Sequence, residues 1–130
     1  MTMTAINPAN GEVINTYQTL TDDDVRQIIH SCGESFQDWR KTTFQHRAGL
    51  MKKAAQVLRE NIEEYGKLMA LEMGKPIKDG RAEAQKCAWV CDYYAENAES
   101  FLTPEEVGTD ASRSFVSFQP IGVVLAVMPW

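Results

Sequence analysis

The sequence lacks a long hydrophobic run, an excess of basic charge and a leader-like N-terminus. Its longest apolar stretch, residues 121–128, is far shorter than the ~20 residues that a membrane-spanning helix needs. The formal net charge is −5, whereas nucleic-acid-binding modules usually present a basic face. The first residues have no basic start and no apolar segment, so we predict neither a signal peptide nor a transit peptide. We therefore expect a globular protein with no membrane and no nucleic-acid partner.

Cysteine is also scarce, and its three positions show no disulfide framework. An odd number of thiols favours reduced cysteines in a cytoplasmic protein. Cys87 and Cys91 are four residues apart and could ligate a metal, but His30 and His46 are not spaced to complete a site. Small buried residues of a helix face are the favoured interpretation for both, and also for Cys32. The sequence thus predicts no metal site and no nucleophile.

Several motifs of enzyme chemistry are absent, and one partial motif has a structural explanation. The chain has no GxGxxG, no HExxH and no serine-centred elbow. The Gly-Lys pair in "EMGKP", residues 72–76, lacks the earlier glycine and the following Ser or Thr of a phosphate loop. Gly74 and Pro76 instead suit the end of a helix, so we predict a helix cap here.

The N-terminal third shows turn chemistry and then a helix start. The Asn-Gly pair at 10–11 is a strong two-residue hairpin signal and predicts a hairpin over residues 5–18. Thr21 with Asp24 three residues later predicts an N-cap and a variant of the capping box. Apolar residues at helical spacing extend that helix to about Arg40.

Two further helical patterns follow. Residues 44–73 carry an apolar face, with a plausible break near residues 60–61 and Gly74 as a left-handed cap. Residues 77–102 carry a stripe that advances by steps of four and three. Its small members would let another element approach closely. The stripe consists of Ile77, Arg81, Ala84, Ala88, Cys91, Ala95, Ala98 and Leu102.

The C-terminal residues change in character. We predict a loop over 104–110, an extended segment over 113–119 and then a turn. Residues 123–128 form an unbroken apolar run, which is typical of a strand buried on both faces of a helix-covered parallel sheet. Such a strand needs neighbours, and the helices need a sheet to cover. We therefore expect the front of a larger α/β protein, cut at Trp130.

Four segments, in this order, resemble the N-terminal part of the NAD(P)-dependent aldehyde dehydrogenases. They are "INPANGEVI", "FQDWRKTTFQHRAGLMKKAAQVLREN", "LEMGKP" and "FQPIGVVLAVMPW". The helix-rich stretch from "LEMGKP" to "YYAEN" is most similar to the succinate-semialdehyde dehydrogenase branch. The resemblance implies a truncated Rossmann-type α/β fold. Residues 1–112 would be the hairpin and helices of the cofactor domain, 113–120 a strand of the oligomerisation domain, and 121–130 the first central strand of the cofactor sheet.

The resemblance also implies a chemistry. Family members oxidise an aldehyde to the acid with NAD or NADP, using a thiolate nucleophile, a Glu base and an Asn in the oxyanion hole. That Asn directly follows the family's "PW", and the nucleophile and base lie further on. Cys32, Cys87 and Cys91 match none of the family's catalytic motifs. The resemblance therefore implies no catalytic residue in this chain and an inactive fragment.

Cofactor contacts and assembly follow from the same resemblance. The segment matching Met128, Pro129 and Trp130 lines the adenosine-ribose side of the family's cofactor cleft, so these three are the expected cofactor-binding residues. The implied partners are a small aldehyde and, for the full-length form, a second or further copies in a homodimer or homotetramer. A self-standing helical interaction module, binding a partner through its apolar faces, is the alternative of a different class.

Overall fold

The computed structural model describes residues 1–128 and shows helices joined to short strands. Contacts divide the chain into two compact units, one of Met1–Thr19 with Gln45–Glu96 and one of Leu20–Phe44 with the residues from Asn97 onward. No helix within residues 1–128 has the length and apolarity to span a membrane. In chain order the elements are β1 Thr2–Ile6, β2 Val13–Gln18, α1 Asp22–Trp39, α2 Phe44–Glu60, α3 Ile62–Met73, α4 Ile77–Phe101, β3 Glu105–Glu106 and β4 Phe115–Val116.

The hairpin is present, but its connection differs from the predicted two-residue turn. β1 and β2 pair antiparallel with an irregularity between Ala5 and Ile6, and residues 7–12 connect them. Two Asx turns hold the longer loop, because side-chain amide oxygens of Asn7 and Asn10 each accept a backbone N–H two residues on, at 3.0 Å. Gly11 supplies the positive φ of 75°. The two-residue prediction was wrong because these local hydrogen bonds favour a wider loop.

The first unit contains the break and the cap that the sequence predicts. α2 ends at Glu60 and α3 begins at Ile62, with Asn61 between them at φ −114° and ψ 22°. The Asn61 side-chain amide donates to the Val57 carbonyl oxygen at 2.8 Å and so satisfies an end-of-helix acceptor. Gly74 closes α3 at φ 70°, and its N–H donates to the Ala70 carbonyl oxygen at 3.0 Å.

Close packing in the first unit rests on small residues, as the stripe on α4 predicts. Ala84 and Ala88 are buried on α4, and Ala55 is buried on α2. Gly80 lies against the backbone of Gly66, so α3 and α4 approach at a point where neither has a side chain. The burial of Ala84 and Ala88 agrees with the predicted stripe, whereas Gly80, which contacts Gly66, is not a member of it.

Ion pairs flank this helix contact at the surface. The Arg81 guanidinium on α4 donates to Glu63 of α3 at 2.6 and 3.0 Å. Arg59 of α2 reaches Asp92 of α4 at 2.5 Å. Because these side chains are substantially exposed, each pair contributes no more than about 1 kcal/mol.

The second unit contains α1 and a small antiparallel ladder. The capping box is confirmed, since Thr21 caps the Asp24 N–H and Asp24 accepts from Thr21, and the helix closes at Arg40. β3 pairs with β4, so the predicted loop over 104–110 contains a short strand. The two hydroxyls of Thr109 and Ser114, 2.7 Å apart, tie the intervening turn together.

Residues 121–128 show no strand pairing in the structure. A ladder needs the N–H and C=O groups of a neighbouring strand, and no described strand lies beside this segment. Its side chains are exposed, with Leu125 at 88% and Val127 at 78%. The proposal that this run is the first central strand of a sheet therefore stays a prediction.

The chain exposes more surface than compact domains of its size. Its accessible area is 10612 Å². Scaling for folded monomers gives about 8,300 Å² even when the two units are treated as separate compact domains. Exposed large apolar side chains lie on all four helices and on β1, β2 and β4, among them Ile28 of α1, Trp89 of α4 and Phe115 of β4. The apolar faces that the sequence predicts as core are therefore largely uncovered in this chain.

Candidate functional site

The expected cofactor segment lies at the end of the described chain. Met128 is 83% exposed, and Pro129 and Trp130 lie outside the described residues. Gly122 precedes the segment at φ 119°, a conformation that only glycine adopts readily. The structure thus places Met128 on an uncovered apolar segment.

The second unit has an apolar groove where α1 meets the beginning of this segment. The groove is open, has a volume of about 650 Å³ and is lined by Cys32, Phe36 and Trp39 of α1 together with Gly122 and Val123. These three residues are among the apolar residues at helical spacing that predict α1. Apolar residues at helical spacing indicate that this face of α1 packs against something. They do not predict that residues 122–123 form one wall of the groove.

Two of the polar side chains that line the groove interact with neighbouring residues. Asp38 lines it, and its carboxylate pairs with the Lys41 ammonium at 3.1 Å. The Thr42 hydroxyl, also in the lining, donates to the Trp39 carbonyl oxygen at 2.7 Å. The Arg40 guanidinium lies 5.5 Å from the centre of the Phe36 ring. An apolar ligand or chain segment suits this surface better than an anion does.

Three helix starts within residues 1–128, those of α1, α3 and α4, carry negative charge. Anions bind where unsatisfied N–H groups meet the positive end of a helix dipole. The first turns of α1, α3 and α4 carry acidic side chains, and on α1 the carboxylate of Asp24 already accepts the N–H and the hydroxyl of Thr21. The starts of α1, α3 and α4 are therefore poorly suited to an anionic ligand.

Charge at the α1 terminus is set by the capping box. The hydrogen bond from the Thr21 hydroxyl, and then that from its backbone N–H, holds the pKa of Asp24 below its ordinary value of 3.8. Asp24 is therefore ionised throughout the physiological range and reinforces the negative charge of this helix start.

The Gly-Lys pair has the structural role that the sequence predicts. Gly74 is the left-handed cap of α3, and the Lys75 ammonium pairs with the Glu83 carboxylate on α4. A positively charged side chain held by a carboxylate in this way is directed at the neighbouring helix rather than at a ligand. No phosphate loop is present among the described residues.

The three cysteines lie on the predicted helices, but they are more exposed than the sequence predicts. All three are free thiols, but Cys32 and Cys87 are exposed and Cys91 is half-buried. The prediction of buried helix-face residues was wrong, because the helix faces that carry them are not covered within this chain. Cys87 and Cys91 line one groove on α4.

Comparison with known proteins identifies relatives over the whole chain. The family model described as "Aldehyde dehydrogenase family" matches residues 1–130. A probable succinate-semialdehyde dehydrogenase [NADP(+)] from Synechocystis is 44% identical over all of this chain, which covers 29% of that protein. The succinate-semialdehyde dehydrogenase [NADP(+)] of Mycobacterium avium is 43% identical, again over the whole chain and 28% of its own length. The chain thus spans less than a third of these relatives.

Solved structures show the same fold. Succinic semialdehyde dehydrogenase from Streptococcus pyogenes, in complex with NADP+, superposes with a TM-score of 0.81 at 27% identity, over 86% of this chain and 25% of that one. An NAD-dependent aldehyde dehydrogenase from Sinorhizobium meliloti gives 0.77 at 29% identity, over 85% and 22%. These likenesses confirm the predicted α/β fold class. Together with the match of the family model to all 130 residues, they show that the chain belongs to the aldehyde dehydrogenase family.

Proposed function

We propose that this chain supplies the N-terminal part of an NAD(P)+-dependent aldehyde dehydrogenase that oxidises succinate semialdehyde to the acid. The observation that carries the proposal is the 44% identity, over the entire chain, to a relative named for that substrate and for NADP(+). A structural neighbour of the same name was solved with NADP+. Because both relatives are named with NADP+, we propose NADP+ rather than NAD+ as the cofactor of the full-length protein.

The exposed apolar surface supports a role as part of a larger fold. Apolar surface is stabilised by about 25 cal/mol for each Å² removed from water, so uncovered faces of this extent favour further packing. The α1 groove and the apolar residues 121–128 would be covered by other parts of the same polypeptide. In that setting residues 121–128 would join a sheet, and Met128, Pro129 and Trp130 would line the cofactor cleft.

This chain would contribute support rather than chemistry. Its Cys32, Cys87 and Cys91 match no catalytic motif of the family. Its helices would position the cofactor sheet, and residues 113–120 would extend an oligomerisation strand of a cytoplasmic homodimer or homotetramer. We therefore propose that the chain alone has no dehydrogenase activity.

An assay of the isolated chain tests this directly. The purified 130-residue chain is incubated with succinate semialdehyde and either NAD+ or NADP+, and reduced cofactor is followed by its absorbance. We expect no turnover above the protein-free blank, with the Synechocystis relative as the positive control. Turnover that co-purifies with the chain and is abolished by thiol alkylation would overturn the proposal of an inactive part.

The alternative, a self-standing interaction module, predicts a different physical state. A module would be a monomer that unfolds cooperatively and does not bind dyes specific for exposed apolar surface. Part of a larger fold, in contrast, would associate or show loose packing, because its uncovered faces and unpaired residues 121–128 favour association. Analytical ultracentrifugation with calorimetric unfolding separates the two.

A further inference from the structure

The α4 helix presents two free thiols in one groove. Cys87 and Cys91 are four residues apart, so they lie on neighbouring turns of the same face. Cys87 is exposed, Cys91 is half-buried, and both line a groove together with Glu83, Lys86 and Val90. Neither thiol is fully buried in this 130-residue chain.

The spacing of the two thiols does not suit a disulfide. Cβ atoms four residues apart on a helix are separated by about 5–6 Å, whereas a disulfide requires about 3.5–4.5 Å. A bridging ion changes this requirement, because it inserts two metal–sulfur bonds of about 2.3 Å each. The pair can therefore close around a single soft ion without distortion of the helix.

The surroundings determine which ion fits. Within residues 1–128 no group of three or more His, Cys, Asp or Glu side chains could hold a metal. Zinc takes four ligands in structural sites, so the two thiolates alone do not complete a zinc site. Cu(I) is soft, is selected by thiolates and accepts two sulfurs in a linear arrangement. We propose that Cys87 and Cys91 form a two-thiolate site for Cu(I).

The charge in the groove is compatible with such a site. Binding replaces two thiol protons, which pass to solvent, by one Cu(I), and it leaves a complex of net charge −1 with no change in oxidation state. Lys86 lines the same groove and offsets that charge. The carboxylate of Glu83 is paired with the Lys75 ammonium, which reduces its repulsion of the bound complex.

A titration with Cu(I) tests the site. The full 130-residue chain, reduced and kept free of oxygen, is titrated against Cu(I) held by the coloured chelator bicinchoninate. We expect transfer of one Cu(I) per chain, a sulfur-to-copper charge-transfer band in the ultraviolet, and no comparable retention of Zn(II). Binding of Zn(II) as tight as that of Cu(I), or a copper-linked dimer with one metal per two chains, would contradict a two-thiolate site within one helix.

Matched variants locate the ligands. Cys87→Ser and Cys91→Ser should each weaken binding by about 100-fold or more, because the second thiolate binds at a high effective concentration. Cys32→Ser, which removes the exposed thiol of α1, should leave the affinity unchanged. Adding Glu83→Cys to Cys91→Ser rebuilds a pair four residues apart and should restore binding. Equal loss in Cys32→Ser, or no loss in either α4 variant, would overturn the proposal.

A readout on the unaltered chain removes any dependence on how the variants fold. Cu(I) should protect Cys87 and Cys91 from alkylation by iodoacetamide, as measured by mass spectrometry of the peptides, while Cys32 stays reactive. If all three cysteines are protected equally, or none is, copper does not bind at the α4 pair and the proposal fails.

Discussion

Gly66 of α3 and Gly80 of α4 bring the two helices into backbone contact. A Cβ atom placed on Gly80 would lie 3.1 Å from both the Cα atom and the carbonyl oxygen of Gly66. Such separations are tighter than ordinary van der Waals contact, and the opposing atoms are backbone atoms that cannot move aside alone. The crossing of α3 and α4 therefore depends on the absence of a side chain at both positions.

Gly80→Ala should destabilise the first unit despite its better helix propensity. The substitution gains up to about 1 kcal/mol of propensity in a helix interior but incurs about 1–3 kcal/mol of overpacking. We expect a net loss of about 1 kcal/mol in the free energy of unfolding, measured by urea denaturation with circular dichroism. Gly49→Ala in α2 is the control, since no atom lies within 4 Å of its added Cβ. That variant should gain about 0.5–1 kcal/mol. Equal effects of the two variants would refute the close crossing.

Gly74→Ala should cost more than Gly11→Ala. Both glycines have a positive φ, 70° and 75°, so alanine at either incurs the left-handed penalty of about 1–2 kcal/mol. Only at position 74 does the added Cβ also meet a neighbour, the Pro8 ring carbon Cγ at 3.1 Å. The difference in unfolding free energy between the two variants measures the contact of the hairpin loop with the end of α3. A larger loss at position 11 would contradict that contact.

The capping box of α1 should respond to acid at a pH below the usual range for aspartate. Its hydrogen bonds to Thr21 lower the pKa of Asp24, so they stabilise the helix fully above the ordinary value of 3.8. That stabilisation is lost as the pH falls through the lowered pKa. Thr21→Ala should raise the pKa of Asp24 towards its ordinary value, as followed by NMR of the side-chain carboxyl. Thr4→Ala in β1 is the control, and an unmoved pKa in Thr21→Ala would rule out the capping box.

The features that the sequence predicted correctly are those decided by neighbouring residues. Thr21 and Asp24 are three residues apart, and each side chain hydrogen-bonds to the backbone of the other residue. A short stretch of sequence is therefore enough to predict the start of α1. Gly74 ends α3 for a similarly local reason, the positive φ of the cap. The break at Asn61 is held by a hydrogen bond to Val57, one turn earlier.

The features that were missed depend on partners distant in the sequence. The β3 strand exists only because β4 pairs with it across a turn, and its two residues, both glutamate, give no strand signal of their own. Burial of the α4 cysteines was expected from their helix face, but burial requires a second surface that local pattern does not specify. The same holds for residues 121–128, whose predicted strand requires neighbouring strands.

The central claim is that this chain is equivalent to the matching part of a succinate-semialdehyde dehydrogenase. A chimera tests it most directly, with residues 1–130 replacing the aligned region of the Synechocystis relative, which is 44% identical over the whole chain. The control is the same relative without that region. We expect the chimera to reduce NADP+ with succinate semialdehyde at a kcat/KM within about tenfold of the parent, a transition-state change of about 1.4 kcal/mol. A chimera that folds to the parent's oligomeric state but has no more activity than the truncated control would contradict the claim.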